Sequence, residues 1–131
     1  MTGEDRCRLI KKYLGKTVRI EIDRPIGYVH TKGEKTLVYP INYGYIPGVL
    51  GGDGEELDVY LLGVSGAVSE YTCKIIGAVI RNNDVEDKLI AAPEGMSFSE
   101  EEMYSAIFFQ EKYYDSFTVS ACHPERITPS K

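Results

Sequence analysis

Apolar and polar residues alternate along much of the chain, most regularly over residues 17–23. Val18, Ile20 and Ile22 fall on one side of this stretch, and charged residues that include Glu21 fall on the other. A period of two predicts a strand with one face in the core and one face in water. Glu21 is therefore expected to point away from the core-facing row.

Four further runs are rich in β-branched or other apolar residues and are bounded by turn residues. They predict strands over residues 36–39, 59–64, 72–81 and 88–92, with a short strand at 117–119. Residues 24–35 predict a loop or an irregular hairpin. Strands this short, separated by close turns, favour a small closed or partly closed antiparallel barrel.

One strong helix signal lies near the C-terminus. Ser99 and Glu102 have the spacing of a capping box, and apolar residues continue the helical period, so a helix is expected from there to about Asp115. Residues 1–15 predict an N-terminal extension, either a short helix or a frayed segment. Residues 120–131 predict a loose tail. The whole chain, 1–131, is expected to be a single domain with the helix against the barrel.

Composition narrows the functional classes. The 131 residues carry 20 acidic and 15 basic side chains, a net charge of −5, which argues against a protein that binds nucleic acid mainly by charge. No apolar run is long enough for a membrane span, and the start of the chain lacks the pattern of a signal peptide. Cys7, Cys73 and Cys122 have no paired spacing and predict free thiols. A cytoplasmic protein is expected.

Acidic residues are densest at the turn that precedes residues 59–64. Asp53, Glu55, Glu56 and Asp58 occupy four of six positions after two glycines. Like charges at this density repel one another unless a cation or water screens them. Hard divalent cations prefer such oxygen ligands. The turn therefore predicts either a metal site or a solvated acidic turn.

A second acidic turn lies between residues 81 and 88. It contains Asp84, Glu86 and Asp87, and it is followed by Lys88. Each turn taken alone is consistent with simple solvation. Two such turns in one small β domain favour a shared metal site.

Tyrosines and prolines crowd residues 39–48. These tyrosines predict either packing at the edge of the core or phenol groups that donate to an anion. His30 and His123 have no partner at a useful spacing and are expected to be neither ligands nor bases.

Three blocks, in order, resemble the soluble Mg²⁺-dependent inorganic pyrophosphatases of family I. They are Tyr39-Pro40-x-Asn42-Tyr43-Gly44-Tyr45-Ile46, Asp53-Gly54-Glu55-x-x-Asp58, and 84–88 followed by Leu89-Ile90-Ala91. The resemblance covers residues 18–93 and resumes at 109–115. It implies a mainly β (α+β) fold, a five-stranded OB-like antiparallel barrel with a C-terminal helix packed against it. It also implies a water, activated by metal, that attacks phosphorus without a covalent enzyme intermediate.

The resemblance also assigns roles to individual residues. Glu55 stands where the family has the aspartate that deprotonates the attacking water. Six acids are implied for the metal site, with Glu86 and Asp87 as alternatives at one position: Asp53, Asp58, Glu21, Asp84, Glu86 and Asp87. Five residues are implied to bind phosphate oxygens: Tyr43, Lys88, Tyr113, Arg24 and Lys35. Tyr43 and Lys88 are also expected to be catalytic.

The chain departs from the family pattern at several positions. Glu55 replaces an aspartate, and Tyr114 replaces a lysine. Only 18 positions separate Glu21 from Tyr39, which is short for the family's hairpin with its lysine, glutamate and arginine. Arg24, Lys32 and Lys35 are candidates to replace those cations.

Hydrolysis of pyrophosphate to two phosphates is the expected function, with Mg²⁺ or Mn²⁺ as cofactor. The expected partners are the small-molecule substrate and further copies of the chain, without nucleic acid or membrane. Two alternatives stay open: hydrolysis of another phosphoanhydride, and a non-catalytic protein that binds metal or phosphate on the same fold.

Overall fold

The structure, a computed structural model, describes residues 1–128, and its elements follow the polarity pattern closely. The two helices are α1 (Gly3–Tyr13) and α2 (Glu100–Glu111). The eight strands are β1 (Thr17–Arg24), β2 (Val29–Lys32), β3 (Lys35–Val38), β4 (Asn42–Leu50), β5 (Glu56–Leu61), β6 (Glu70–Arg81), β7 (Lys88–Ala92) and β8 (Ser116–Ser120). A 3-10 turn, Pro124–Arg126, follows β8.

Five strands form the closed barrel that the resemblance implied. They pair in the order β1-β4-β5-β7-β6, and β6 returns to β1 to close the ring, while β8 pairs with β6 outside it. Four of the five barrel pairings are antiparallel, and the pairing of β5 with β7 is parallel. The expected antiparallel barrel is therefore mixed at one pairing, because β6 lies between β5 and β7 in sequence and crosses over to the far side of β7.

The barrel interior is apolar, and strand β7 has no row of residues that faces solvent. All five residues of β7 are buried, and Val59, Ile20 and Ile75 on neighbouring strands have no exposed surface. A continuous apolar run suits such a strand, because both of its faces are covered.

The C-terminal helix begins where the sequence places it. The Ser99 hydroxyl accepts from the Glu102 backbone N–H, and the Glu102 carboxylate accepts from the Ser99 N–H. Met103, Ile107 and Glu111, four residues apart, form its buried row, so the last position of the core-facing stripe is a carboxylate. The helix ends at Glu111, a turn earlier than expected.

The chain ends are more ordered than expected. α1 has its own capping box between Thr2 and Asp5, and its Ile10 is buried in the core, so the frayed alternative for residues 1–15 is wrong. In the predicted tail, Ile127 is also buried. Residues 129–131 of that tail lie outside the described residues.

Residues 29–38 form a regular two-stranded hairpin, β2 with β3, separate from the barrel. His30 pairs with Leu37, and Lys32 pairs with Lys35 across the turn. The segment between Glu21 and Tyr39 thus accommodates a hairpin after all, only a short one. The three cysteines are free, as predicted. Within residues 1–128, no helix has both the length and the apolar character of a membrane span.

Candidate active site

A cavity of about 510 Å³ lies between the β2–β3 hairpin, one end of the barrel and the C-terminal end of α2. Seven of the residues that the sequence assigned to the site line it: Arg24, Lys35, Tyr43, Asp58, Glu86, Lys88 and Tyr113. These seven residues come from separate strands, a turn and the segment after α2, and the fold brings them to one cavity.

At the floor of the cavity, Lys88 joins two carboxylates. Its Nζ lies 2.8 Å from Asp58 Oδ2 and 2.5 Å from Glu86 Oε1. The Tyr43 hydroxyl accepts from Lys88 Nζ at 2.6 Å and donates to the same Asp58 oxygen at 2.8 Å. Because β4, β5 and β7 are adjacent strands, Tyr43, Asp58 and Lys88 meet at one level of the barrel.

Burial fixes the protonation of the Tyr43 phenol. Removal from water, with the Asp58 carboxylate beside it, raises the pKa of Tyr43 well above its usual range. The phenolate would be a second negative charge in a dry place, so the neutral form is strongly favoured. Tyr43 is therefore a hydrogen-bond donor across the physiological pH range.

The second oxygen of Glu86 faces a buried arginine. Arg81 Nη1 lies 3.3 Å from Glu86 Oε2, and the guanidinium also holds Glu111 through Nη2 at 2.7 Å and Nε at 3.1 Å. Arg81 and Glu111 are both almost fully buried. Burial lowers the pKa of Arg81, but the hydrogen bonds that Arg81 donates to Glu111, with the charge of that carboxylate, outweigh it and raise the pKa further above its already high value.

Two further cations of the lining, Arg24 and Lys35, form the basic wall of the cavity. Arg24 lies over the rings of Tyr28, Tyr39 and Tyr43, and its Nη1 donates to the Tyr39 hydroxyl. Lys35 Nζ lies 4.3 Å from the centroid of the Tyr113 ring. Among the described residues, neither cation has a carboxylate within ion-pair range, so their charges are available to an anion.

The sequence interpretation missed Asp23, the third carboxylate of the cavity. Strict alternation places it on the outer row with Glu21, but the pairing of β1 with β4 shifts register between Ile22 and Arg24. Such a bulge re-aims the side chains that follow it. Asp23 and Arg24 consequently both line the cavity. The Asp23 side chain keeps substantial exposure to solvent, and its partial removal from water, with a smaller effect of the Asp58 charge, raises its pKa.

Three of the predicted acids point elsewhere. Asp53 and Glu55 are exposed on the turn before β5 and do not line the cavity, and the Asp53 carboxylate accepts from the Glu55 backbone N–H. Glu21 forms an ion pair with Arg19 on the barrel surface. The structure therefore does not bring Asp53, Glu55 or Glu21 to Asp58.

In the second acidic turn, the alternatives Glu86 and Asp87 diverge. Asp87 is buried and receives two hydrogen bonds from Arg6 of α1, at 2.7 and 2.9 Å. Burial nevertheless raises its pKa, against the lowering effect of Arg6. Asp84 lies beside Arg81, with 3.6 Å between Oδ2 and Nη1, outside the cavity lining. Glu86 is the acid of this turn that faces the cavity.

Oxygen donors for a divalent cation exist in the cavity as a small set. Within residues 1–128, no three acidic, histidine or cysteine side chains are placed to hold a metal by themselves. Mg²⁺, however, is commonly held by one or two carboxylates together with water and substrate phosphates. Asp58 and Glu86, linked by Lys88, provide that number of hard oxygen donors, so the chemistry of the site fits Mg²⁺ with a phosphate ligand.

Six further residues of the lining were not assigned to the site from the sequence: His30, Gly33, Leu37, Arg81, Gln110 and Tyr114. Arg81 ends an apolar strand, and Glu111 continues the Met103–Ile107 stripe of α2. Both positions face the core, and the occurrence of one basic and one acidic residue there is a sequence signal for a buried ion pair. His30 and Gln110 offered no such signal, because nothing local in the sequence shows which way they face.

The sequence is similar to known inorganic pyrophosphatases. A family model described as inorganic pyrophosphatase matches residues 10–114. Inorganic pyrophosphatase from Rickettsia prowazekii is 32% identical over 82 residues, which cover 58% of this chain and 48% of that protein. The enzyme from Campylobacter jejuni is 31% identical over 87 residues, 60% and 49% of the two chains. The chain spans about half the length of the curated relatives it matches.

Solved structures agree on the fold. The inorganic pyrophosphatase of Ehrlichia chaffeensis superimposes with a TM-score of 0.61 at 20% identity, over 86% of this chain and 90% of that one. The protein from Neisseria gonorrhoeae gives 0.56 at 18% identity, over 89% of each chain. At these identities the likeness establishes the fold, and the family model covers most of the sequence. The chain belongs to the inorganic pyrophosphatase family.

Proposed function

We propose that the chain hydrolyses inorganic pyrophosphate, with the cavity below the β2–β3 hairpin as its active site. The observation that carries the proposal is that the cavity lining holds both kinds of charge. Asp58 and Glu86, its acidic wall, are joined by Lys88, whereas Arg24 and Lys35, its basic wall, have no carboxylate partners among the described residues. A pyrophosphate–Mg²⁺ complex presents both a cation and several anionic oxygens, so it is complementary to such a cavity.

Asp58 and Glu86 would supply the protein oxygens that hold Mg²⁺. When bound there, the cation would polarise phosphate oxygens and make the attacking water more acidic. At the floor of the cavity, the three N–H groups of Lys88 and the single O–H of Tyr43 are all donated within this cluster. They would hold the two carboxylates in place, and they would donate to the attacked phosphate only after one of these hydrogen bonds opens.

Arg24, Lys35 and the hairpin's Lys32 would bind the departing phosphate. Negative charge on that phosphate rises as the bridging P–O bond breaks, so fixed cations stabilise the transition state more than the ground state. Tyr113 would donate from the end of α2. In this reaction the water oxygen bonds to one phosphorus, the bridging oxygen leaves with the other, and no bond to the protein is formed.

Asp23 replaces Glu55 in this account as the group that accepts the proton from water. It is a solvent-accessible residue of the cavity lining, has no ion-pair partner among residues 1–128, and its partial removal from water raises its pKa. A carboxylate with a raised pKa is a stronger base than an ordinary aspartate. Glu55, on an exposed turn, has no contact with the cavity lining.

Phosphate release by the purified chain tests the proposal. We expect release from pyrophosphate with Mg²⁺, no release after chelation by EDTA, and recovery on addition of excess Mg²⁺ or Mn²⁺. Triphosphate and nucleoside triphosphates serve as parallel substrates. Faster release from one of those than from pyrophosphate would assign the site to another phosphoanhydride, and pyrophosphate binding without any release would indicate a non-catalytic protein.

A further inference from the structure

A continuous chain of hydrogen bonds runs from Arg24 on the basic wall into the interior. Arg24 Nη1 donates to the Tyr39 hydroxyl at 2.5 Å, and that hydroxyl donates to Gln110 Oε1 at 2.5 Å. Gln110 Nε2 donates to the Tyr60 hydroxyl at 2.8 Å, and this hydroxyl donates to Glu111 Oε2 at 2.5 Å. Every donor in the chain points in the same direction, toward the Glu111 carboxylate.

The far end of this chain is anchored by charge. Glu111 is fully buried, and Arg81 binds both of its oxygens. The Tyr60 hydroxyl donates its hydrogen bond to this carboxylate, and that direction fixes the direction of every bond back to Arg24. The amide of Gln110 can satisfy Tyr39 and Tyr60 together in one orientation only, with its oxygen toward Tyr39.

Arg81 carries the same network to the acidic wall. Its third nitrogen, Nη1, faces Glu86, whose other oxygen binds Lys88. The two consecutive residues Gln110 and Glu111 of α2 therefore connect the basic wall on one side with the acidic wall on the other. The hydroxyl, amide and guanidinium groups of this network already have hydrogen-bond partners within it. The network therefore favours one arrangement of both walls.

We infer that Tyr60 and Glu111 are positioning residues for Arg24 and thereby set the affinity of the cavity for phosphate oxygens. The inference rests on the proposed function only in naming pyrophosphate as the anion. Tyr60 does not line the cavity and has no exposed surface, so it cannot contact a ligand. Its effect on binding is therefore indirect, and the hydrogen-bonded route from Tyr60 to Arg24 runs through Gln110 and Tyr39.

Removal of one hydroxyl interrupts the chain without altering the cavity lining. Tyr60→Phe leaves Glu111 paired with Arg81 and leaves Gln110 Nε2 without its acceptor. Tyr104→Phe is the matched control, since Tyr104 lies elsewhere on α2, stacks on Phe108 and is absent from the cavity lining. Gln110→Met interrupts the chain at the next link, and it replaces Tyr60→Phe in the measurement of Arg24 order if that variant does not fold by its melting curve, because Gln110 lines the cavity and could contact an anion directly.

The first measurement needs no substrate. In free protein, ¹⁵N relaxation of the arginine Nε–H groups reports the order of each guanidinium on the ps–ns timescale. We expect Tyr60→Phe to lower the order of Arg24 and to leave Arg19, which is paired with Glu21 and Glu70, unchanged. Unchanged order at Arg24 would overturn the inference, whatever the protein binds.

The second measurement is calorimetric titration with pyrophosphate in the absence of Mg²⁺, in a double-mutant cycle. Tyr60→Phe should weaken binding about fivefold when Arg24 is present and by less than about twofold when Arg24 is replaced by Gln, because coupled sites are not additive. An equal loss in both backgrounds would overturn the inference. If the parent chain does not bind pyrophosphate but Arg24 still loses order, the proposed function fails and the positioning role stands.

Discussion

The molecule has two acidic turns, and they have opposite relations to the core. The turn between β4 and β5 carries Asp53 and Glu55, both exposed to solvent. In the turn between β6 and β7, Glu86 lies against Lys88 and Arg81, and Asp87 is buried against Arg6. Carboxylates can be taken out of water only where cations compensate them. The position of lysine and arginine, more than the density of acids, therefore decides which turn faces the cavity.

The largest expected effect contrasts one cavity acid with one acid of the exposed turn. Asp23→Asn should lower the rate of pyrophosphate hydrolysis by about 100- to 10,000-fold, because an amide cannot accept the proton from water. Glu55→Gln should change that rate by less than about twofold. Initial rates at saturating Mg²⁺ decide the matter, and a large loss in Glu55→Gln with little loss in Asp23→Asn would return the catalytic base to the exposed turn.

The next effect concerns the buried cation behind the inward-facing turn. Arg81→Met should lower the free energy of unfolding by about 3–5 kcal/mol, because Glu111 would stay buried without its partner. The double variant Arg81→Met/Glu111→Leu should recover most of that loss, since it buries no charge. Arg19→Met, at a half-exposed surface pair, should cost less than about 1 kcal/mol.

Urea unfolding measures all three variants. If the double variant Arg81→Met/Glu111→Leu is destabilised as much as Arg81→Met, the lost packing around Arg81 causes the effect, and the unpaired Glu111 charge does not.

A smaller effect separates Asp87 from Asp53. Asp87→Asn should cost about 1–3 kcal/mol of stability, because Arg6, itself largely buried, loses a carboxylate that accepts two of its hydrogen bonds. Asp53→Asn should stay within about 0.5 kcal/mol, as is usual for an exposed residue. Equal costs at the two positions, by thermal or urea unfolding, would remove the distinction between the turns.

Much of the fold follows from the sequence because its signals are local. Alternation located β1, the apolar run 88–92 coincides with β7, and the Ser99 capping box located the start of α2. The parallel pairing of β5 with β7 has no local signal, since strand order depends on how the whole chain closes. The apolar pattern alone leaves residues 1–15 undecided between a helix and a frayed segment. The spacing of Thr2 and Asp5, a capping box, is the local signal that favours the helix.

The resemblance names some residues that meet in the cavity and others that do not. The resemblance located Tyr43, Asp58 and Lys88, whose contacts follow from adjacent strands. It could not locate Asp23, because one bulge in β1 reverses what alternation predicts. It also placed Asp53 and Glu55 in the site, whereas in the structure their turn extends into solvent.

The smallest effect is a pH dependence of stability at Asp23. Because the native pKa of Asp23 is raised above 3.8, the folded chain keeps a proton that the unfolded chain has already lost. The wild type therefore loses stability as pH rises through the raised pKa. Asp23→Asn should be more stable than wild type at pH 7 and equal to it below the unfolded pKa. Urea unfolding of both proteins at pH 7 and at a pH below 3.8 tests this. If Asp23→Asn and wild type differ in stability by the same amount at the two pH values, the raised pKa of Asp23 is contradicted.

Calorimetric titration of Mg²⁺ into four versions of the chain, in the presence of phosphate, tests most directly which turn supplies the site. Wild type and Asp53→Asn should bind Mg²⁺ with the same affinity, whereas Glu86→Gln and Asp58→Asn should each bind at least about tenfold more weakly, because each loses a charged oxygen donor. An unchanged affinity in Glu86→Gln together with a large loss in Asp53→Asn would contradict the account and assign the metal to the exposed turn.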